Sequence, residues 1–377
     1  MGRAEHEGLS LLSNTPKVVD LFAGAGGMTE GFEQAGYQSA LAIEYDEMAA
    51  KTFSFNHPKT PVFIKDIRTV QETDVLEILR GSTIDVLCGG PPCQGFSLAG
   101  QRLADDPRNQ LFLEFVRMIN LIKPRFFVFE NVSGITSMSG GAILEAILQE
   151  FRRSGYDCFF KVLNAADYGV PQARPRFFLV GTRDGEKYHF PDPSHVPASA
   201  NDLFSSNTPK HLSVWDALSD LPFIEQGEGA EEMKNSTQTH NAYQLERRGH
   251  RSPGTLFNHR ATGHSEPIVM RYDAIPEGGN NSQVPIEMRT KKINVFKLHR
   301  EKPARTVTCN HRTDLLHPVI PRGTTVREAA RLQSFDDDYK FFGNLTRKAK
   351  WVTQDDQVGN AVPPLLAHAI AKSLLTV

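Results

Sequence analysis

The sequence predicts an α/β protein: a doubly wound, mostly parallel sheet followed by a smaller, irregular domain. Three observations predict it. Short, almost wholly apolar runs alternate with amphipathic stretches up to about residue 188. These runs are too apolar to leave one face wet, as a parallel sheet covered on both sides requires. Beyond that point the alternation decays, and at 377 residues the chain is long for a single core.

The strands, in order, are VVDLF (18–22), SALAIE (39–44), IDVLC (84–88), FFVFE (126–130) and RFFLVGT (176–182). Between them MTEGFEQAG, DVLEILRG, NQLFLEFVRMINLI and GAILEAILQEFRRSG carry helical spacing, three of them closing on glycine. Residues 1–188 are therefore expected to form the first domain. From 189 to 350 the chain is rich in turn residues, as in PDPSHVPASAND and EGGNNSQ. Within this part TTVREAARLQSF (324–335) regains periodicity, and Thr325 followed by Glu328 predicts a capping box. The last segment, 351–377, contains NAVPPLLAHAIAKSLL, a helix whose prolines suit a first turn, expected to complete the first domain.

Composition excludes several classes. MGRAEHEGLSLLSN has neither a basic start nor an apolar core, and His6 stands where a myristoylation signal needs Ser or Thr. No apolar run approaches ~18 residues, so no membrane partner is expected, and the cysteine usage leads to the expectation of free thiols in a reducing, cytoplasmic location. The four cysteines show no CxxC pair and no zinc-like spacing. Cys88, Cys158 and Cys309 read as strand packing. Cys93, in GGPPCQGFS (89–97), sits in a stretch too broken for helix or strand. The net charge of −2 conceals an asymmetry, since residues 241–331 hold 16 Lys and Arg against 8 Asp and Glu. Such a segment is either a solvated face or the footprint of a phosphate backbone.

The candidate chemistry follows the strands. DLFAGAGGMTEGF (20–32) is a strand running into a glycine-rich turn and a helix, where N–H groups favour an anion. Glu44 ends the next strand, where such folds place an acid on ribose hydroxyls. The spacing departs from G-x-G-x-x-G, which weighs against a nicotinamide dehydrogenase. In an open parallel sheet the carboxyl ends of strands form one crevice. The glycine turn, Glu44, Cys93 and Glu130 are expected to converge there. Pro91 and Pro92 stiffen the loop presenting Cys93. Gln172, Arg174 and Arg176 alternate onto one strand face, offering positive charge to a thiolate. Glu130, in a dry cleft, would hold a proton.

DLFAGAGG, EYD, GGPPCQGFS, FENV, PQARPRFF, TVREAARLQSF and QVGNAVPP, in that order, resemble the DNA (cytosine-5)-methyltransferases of bacterial restriction–modification type. The resemblance spans nearly all of 17–377 except the middle region. It implies a Rossmann-like, S-adenosylmethionine-dependent methyltransferase fold with a target-recognition domain. S-adenosylmethionine would lie against Phe22, Ala23 and the Gly24, Ala25, Gly26 and Gly27 backbone, with Glu44 on the ribose and Tyr45 offering an aromatic face. Asp66, Ile67 and Pro91 would flank it, and Asn360 and Val362 would complete the pocket. A cytosine flipped from duplex DNA would be attacked at carbon 6 by Cys93, with Glu130 on N3 and the amine and Arg176 on the carbonyl oxygen. Arg174 would help fix the site. The loop after the nucleophile would close over DNA, offering Gln94, Ser97, Arg102 and Arg108. His250, Arg251, Arg289, Lys291, Lys292, Lys297 and Arg300 are candidate contacts in the middle region. No metal is implied, and a monomer is expected. Ala361 after Asn360 departs from relatives that carry Ser there. A tRNA-methylating relative and a non-catalytic DNA-binding relative are the competing readings.

Overall fold

The structure, a computed structural model, describes residues 15–92, 109–199, 207–292, 294–346 and 351–377. Its centre is a seven-stranded sheet in the order β3-β2-β1-β4-β5-β7-β6. The strands are β1 (Lys17–Leu21), β2 (Gln38–Glu44), β3 (Val62–Ile64), β4 (Val86–Gly89), β5 (Phe126–Val132), β6 (Asp157–Asn164) and β7 (Pro175–Thr182). The first five are mutually parallel, whereas β7 runs antiparallel to both β5 and β6. All five strands read from the sequence are present. The short β3 and the edge strand β6 join them.

Alternation along the strands explains both helical layers. Val19, Leu21, Leu41, Ile43, Leu87, Phe127 and Phe129 face helices α3 (Glu72–Leu79), α4 (Gln110–Ile122) and α5 (Ala142–Arg153). Val18, Val86, Cys88, Phe126 and Val128 face α1 (Gly27–Gln34) on the other side. Ala42 and Phe53 seat α2 (Glu47–Asn56) on that same side. The C-terminal helix α12 (Pro364–Leu374) packs beside α1 through Leu366, Ala367, Ile370 and Leu374, with Pro364 in its first turn. Both faces are thus dry, as near-continuous apolar strands demand.

Between the sheet and α12 lie α6 (Val214–Leu218), β8 (Gly229–Lys234), α7 (Ala242–Arg247), β9 (Thr255–Arg260) and α8 (Glu266–Ala274). They are followed by β10 (Phe296–Lys297), α9 (His311–Asp314), β11 (Leu315–Leu316), α10 (Val326–Leu332) and α11 (Gln354–Asn360). The capping box at α10 is complete, Thr325 accepting from the Glu328 N–H while Glu328 accepts from the Thr325 N–H. A second box, Thr353 with Asp356, starts α11. One apolar cluster joins Ala25 to Val214, Leu256, Val326, Phe335 and Val358, so this lobe shares a core with the glycine turn.

Buried arginines tie the lobe together. Arg331 is fully buried between Asp220 and Asp337 at 2.9 and 2.7 Å. Arg322 pairs with Glu328 at 2.7 Å. Arg327 donates to the Phe257, Asp336 and Tyr339 carbonyls. Thus TVREAARLQSF serves the scaffold of the lobe. Among the described residues no helix is long and apolar enough to cross a membrane.

Candidate active site

Register aligns the site. Leu21 pairs with Ile43 on one side and Gly89 on the other, and Gly89 pairs with Phe129. The next residues, Phe22, Glu44, Gly90 and Glu130, therefore stand side by side along one carboxyl edge. Because β7 is antiparallel, its beginning lies at that same edge: Arg176 is opposite Val132. A cleft of about 740 Å³ opens there. Its size suits a small-molecule site.

One half of the cleft is built on the turn after β1. Phe22, Gly24 and Gly26 all have positive φ, at 58°, 55° and 92°. For Phe22 this is a strained conformation of a kind that persists where surroundings enforce it. Glu44 accepts from the Gly24 and Asp46 N–H groups, each at 2.8 Å. Each carboxylate oxygen keeps a further lone pair, so the group can still accept hydroxyls. Burial pushes the Glu44 carboxyl up, opposed by those backbone donors. Asp66 is gripped by Arg68, which holds its carboxyl below the usual range. Phe22, Ala23, Gly24, Ala25, Gly27, Glu44, Tyr45, Asp66, Ile67, Pro91, Asn360 and Val362 all line the cleft. Gly26 does not. A Cβ there would stand 2.7 Å from both His57 Nε2 and Tyr339 Oη, so its missing side chain admits those groups from behind.

The chemical half is formed by Gly90, Pro91, Pro92, Glu130, Asn131 and Arg176. Arg176 Nε lies 3.2 Å from Glu130 Oε1. Burial raises the Glu130 carboxyl above its ordinary value, with Arg176 and Arg174 opposing. A Cβ on Gly90 would meet Glu130 Oε2 at 2.8 Å, so a side chain there would push the carboxylate aside. Asn131 donates to the Pro91 carbonyl at 3.0 Å and pins the start of that loop beside Glu130. Cys93, Gln94, Ser97, Arg102 and Arg108 lie outside the described residues.

Several expectations need correction. Arg174 does not reach the cleft. It precedes β7, is fully buried, and donates to the Val307, Gly359 and Ala361 carbonyls at 2.8, 2.7 and 3.0 Å. Gln172 likewise turns to the lobe, donating to Leu332 and Gln333. The alternation of Gln172, Arg174 and Arg176 on one strand face therefore fails, because the strand begins only at Pro175. Arg174 acts as a brace holding the 359–361 segment, which carries Asn360. Cys309 lies in a turn rather than a strand, its thiol donating to Asn360 Oδ1 at 3.1 Å.

The basic segment is also largely committed to internal partners. Arg251 pairs with buried Glu30 and lies within 4 Å of Asp336 and Asp338. Lys297 is 7% exposed and donates to the Asp273 carbonyl. Both cations are thus committed to partners inside the fold, which leaves little of their charge for a phosphate. Arg300 is held by Glu277 and Lys292 by Asp314, at 3.0 and 2.7 Å. Arg289 is exposed but spends Nε on the Val284 carbonyl. His250 and Lys291 are exposed.

Sequence reasoning missed Asp20 and Asp46. Asp20 lies under the turn, accepts from Thr29 at 2.6 Å, and is pushed up to about 6 by burial. Asp46 caps α2 through Met48 and Ala49 and takes the Val352 N–H, joining the two walls of the cleft. Both stand inside stretches singled out above, DLFAGAGG and EYD, where the glycines and Glu44 drew the reading. Cys88 is buried against Asp20, and burial drives its thiol well up, so it is no competitor as nucleophile.

Comparison with known proteins agrees with this geometry. The family model for C-5 cytosine-specific DNA methylase matches residues 16–376. Type II methyltransferase M.DdeI of Desulfomicrobium norvegicum is 39% identical, covering 95% of this chain and 88% of the relative. Type II methyltransferase M1.HphI of Haemophilus parahaemolyticus is 37% identical over 95% and 86% respectively. A solved structure described as that of a DNA modification methyltransferase encoded within a prophage (E. coli) superposes with a TM-score of 0.75. It is 28% identical and covers 96% of this chain and 99% of its own. With its sheet, its glycine turn and its Glu130–Arg176 pair in place, the chain belongs to the C-5 cytosine-specific DNA methylase family.

Proposed function

We propose that this enzyme methylates carbon 5 of a flipped-out cytosine in a specific duplex DNA sequence, through a covalent Cys93 adduct, protecting that DNA from a cognate restriction enzyme. The observation that carries the reading is the Glu130–Arg176 pair, set at the same sheet edge as the turn of residues 22–27 and beside the loop leading to Cys93.

The cleft fits S-adenosylmethionine by the chemistry of its donors. Glu44 faces it as an acceptor for paired hydroxyls, Tyr45 is 61% exposed as a stacking surface, and the glycine turn leaves room for close approach. Bound there, this group supplies the electrophilic methyl that carbon 5 takes up.

The remaining chemistry belongs to the chain. A cytosine inside a duplex is out of reach, so it must be extruded. The Cys93 thiolate adds to carbon 6, forming a C–S bond and pushing an electron pair toward N3. Glu130, whose carboxyl is raised by burial, gives a proton to N3 and accepts from the exocyclic amine. Arg176 lies within reach of the same edge and steadies the carbonyl oxygen. Carbon 5 thereby becomes nucleophilic, which divides one difficult substitution into two easier steps. Transfer of the carbon 5 proton to solvent then expels the thiolate, and N3 returns its proton to the Glu130 carboxylate. Asn131 and Gly90 place the loop, and Arg174 braces the wall.

The segment 189–350 is the proposed target-recognition domain, and a monomer in the cytoplasm is the proposed state. Bisulfite sequencing of DNA from cells expressing the chain tests the reading. One short sequence with protected cytosines is expected, with matching transfer of labelled methyl groups to duplex DNA in vitro. Equal or better transfer to tRNA would overturn the substrate assignment. DNA binding without transfer would favour the non-catalytic alternative.

A further inference from the structure

Behind the glycine turn lies a polar chain, buried at two of its three members, that the reaction itself does not use. Its members are Glu33 on α1, His57 at the end of α2 and Tyr339 from the lobe. His57 Nδ1 is 2.7 Å from Glu33 Oε2, and His57 Nε2 is 3.0 Å from Tyr339 Oη. The Tyr339 hydroxyl donates to the Ala25 carbonyl, 314 residues away in sequence. Tyr339 is fully buried, and His57 is 2% exposed.

Proton counting fixes the direction of the chain. A hydroxyl has one hydrogen, and Tyr339 gives it to Ala25, so its oxygen accepts from His57 Nε2. The other ring nitrogen, His57 Nδ1, is held by Glu33, so the imidazole is fixed from both sides. Glu30 Oε2 lies 3.9 Å from His57 Nε2 and is itself paired with Arg251. Glu30, Glu33 and His57 have ligand atoms within 4.8 Å of one another, a spacing that suits a metal ion. Arg251 and Tyr339 already take the atoms an ion would need.

We propose that Tyr339 is a positioning residue for the methyl donor: its hydroxyl, oriented by His57, fixes the Ala25 carbonyl and hence the shape of the turn lining the cleft. The turn needs such a hold. Phe22, Gly24 and Gly26 adopt positive φ within five residues, and a strained turn keeps its shape only when its surroundings over-determine it. Gly26 is the residue that lets the hold in, because any Cβ would displace both His57 and Tyr339. The backbone of Tyr339 is in turn anchored by Arg327 of α10. The recognition lobe thus touches the cofactor turn directly.

This inference rests on the proposed binding of S-adenosylmethionine in the cleft, and its test separates the two. Isothermal titration with S-adenosylmethionine is run on the full chain and on Tyr339→Phe, alongside steady-state kinetics. Loss of one buried hydrogen bond to a carbonyl predicts about five- to tenfold weaker binding. The KM for the cofactor should rise by the same factor, with kcat at saturating cofactor and the KM for DNA within about twofold of wild type. His57→Gln, which keeps a donor toward Tyr339, should restore most of the affinity that His57→Ala loses, and this pair decides the matter should Tyr339→Phe fail to fold. Wild-type binding matched by Tyr339→Phe, or equal losses in His57→Gln and His57→Ala, overturns the inference alone. A wild-type chain that binds no S-adenosylmethionine overturns the reading of the cleft and this inference with it.

Discussion

Replacing Gly31 by alanine should destabilise this protein, although the same change in an exposed helix stabilises. Gly31 lies inside α1, where alanine gains about 1 kcal/mol of helix propensity. Against that, a Cβ at Gly31 would stand 2.4 Å from the Pro364 carbonyl oxygen, and 2.6 Å from both Ala367 Cβ and the His368 nitrogen. Ordinary contacts begin near 3.4 Å, so α1 and α12 must part by about 1 Å, two of the three obstacles being backbone. Overpacking of this kind costs about 1–3 kcal/mol, and rigid backbone places it in the upper half of that range. The net expectation is a loss of about 1–2 kcal/mol. Gly27 on α1 and Val362 just before α12 both line the cleft, so parting the helices widens it. Urea unfolding should show a lower midpoint at unchanged slope, accompanied by weaker cofactor binding. A Gly31→Ala protein as stable as wild type, with unaltered cofactor affinity, would refute the packing argument.

Two further substitutions test the electrostatics. Arg331→Met strands Asp220 and Asp337 in the core without their shared cation, so urea unfolding should show a loss of about 3–5 kcal/mol. A loss below about 1 kcal/mol would show that the triad is not the keystone of the lobe. Asp20 has its carboxyl raised from 3.8 to about 6, so its contribution to stability is full below pH 4 and is lost as pH rises through 6. Asp20→Asn cannot ionise. Its stability relative to wild type should therefore improve between pH 4 and pH 7, by about 3 kcal/mol. A pH-independent difference would mean that Asp20 is not the buried acid described.

The strand ends were legible because chemistry and periodicity coincide there: Leu21, Ile43 and Phe129 close apolar runs, and each is followed by a residue of the site. What could not be read has identifiable causes. The edge strand β6 exposes Phe160 and Val162, so no clean alternation marks it, and β3 is only three residues long. The reversal of β7 brings Arg176 to Glu130 from the opposite direction, a fact of topology that local pattern does not carry. Counting charges in 241–331 saw the cations but not Glu30 or Asp355, whose positions in the fold commit Arg251 and Arg312 to internal pairs. Arg174 looked like a partner of Arg176 because a single residue separates them, yet the strand starts at that residue, Pro175. Tyr339 gave no signal at all, since its partner carbonyl belongs to Ala25.

The proposed chemistry depends on Glu130 lying against Arg176 beside Gly90, Pro91 and Pro92, the residues that lead to Cys93. Trapping on duplex DNA in which 5-fluorocytosine replaces the target base tests it most directly, because fluorine cannot leave as a proton does and the sulfur–carbon bond persists. The wild-type chain with S-adenosylmethionine should form a denaturation-resistant protein–DNA conjugate, Cys93→Ser should form none, and Glu130→Gln should trap at least a hundredfold more slowly. Conjugate formation by Cys93→Ser, or trapping by Glu130→Gln at the wild-type rate, would contradict the account.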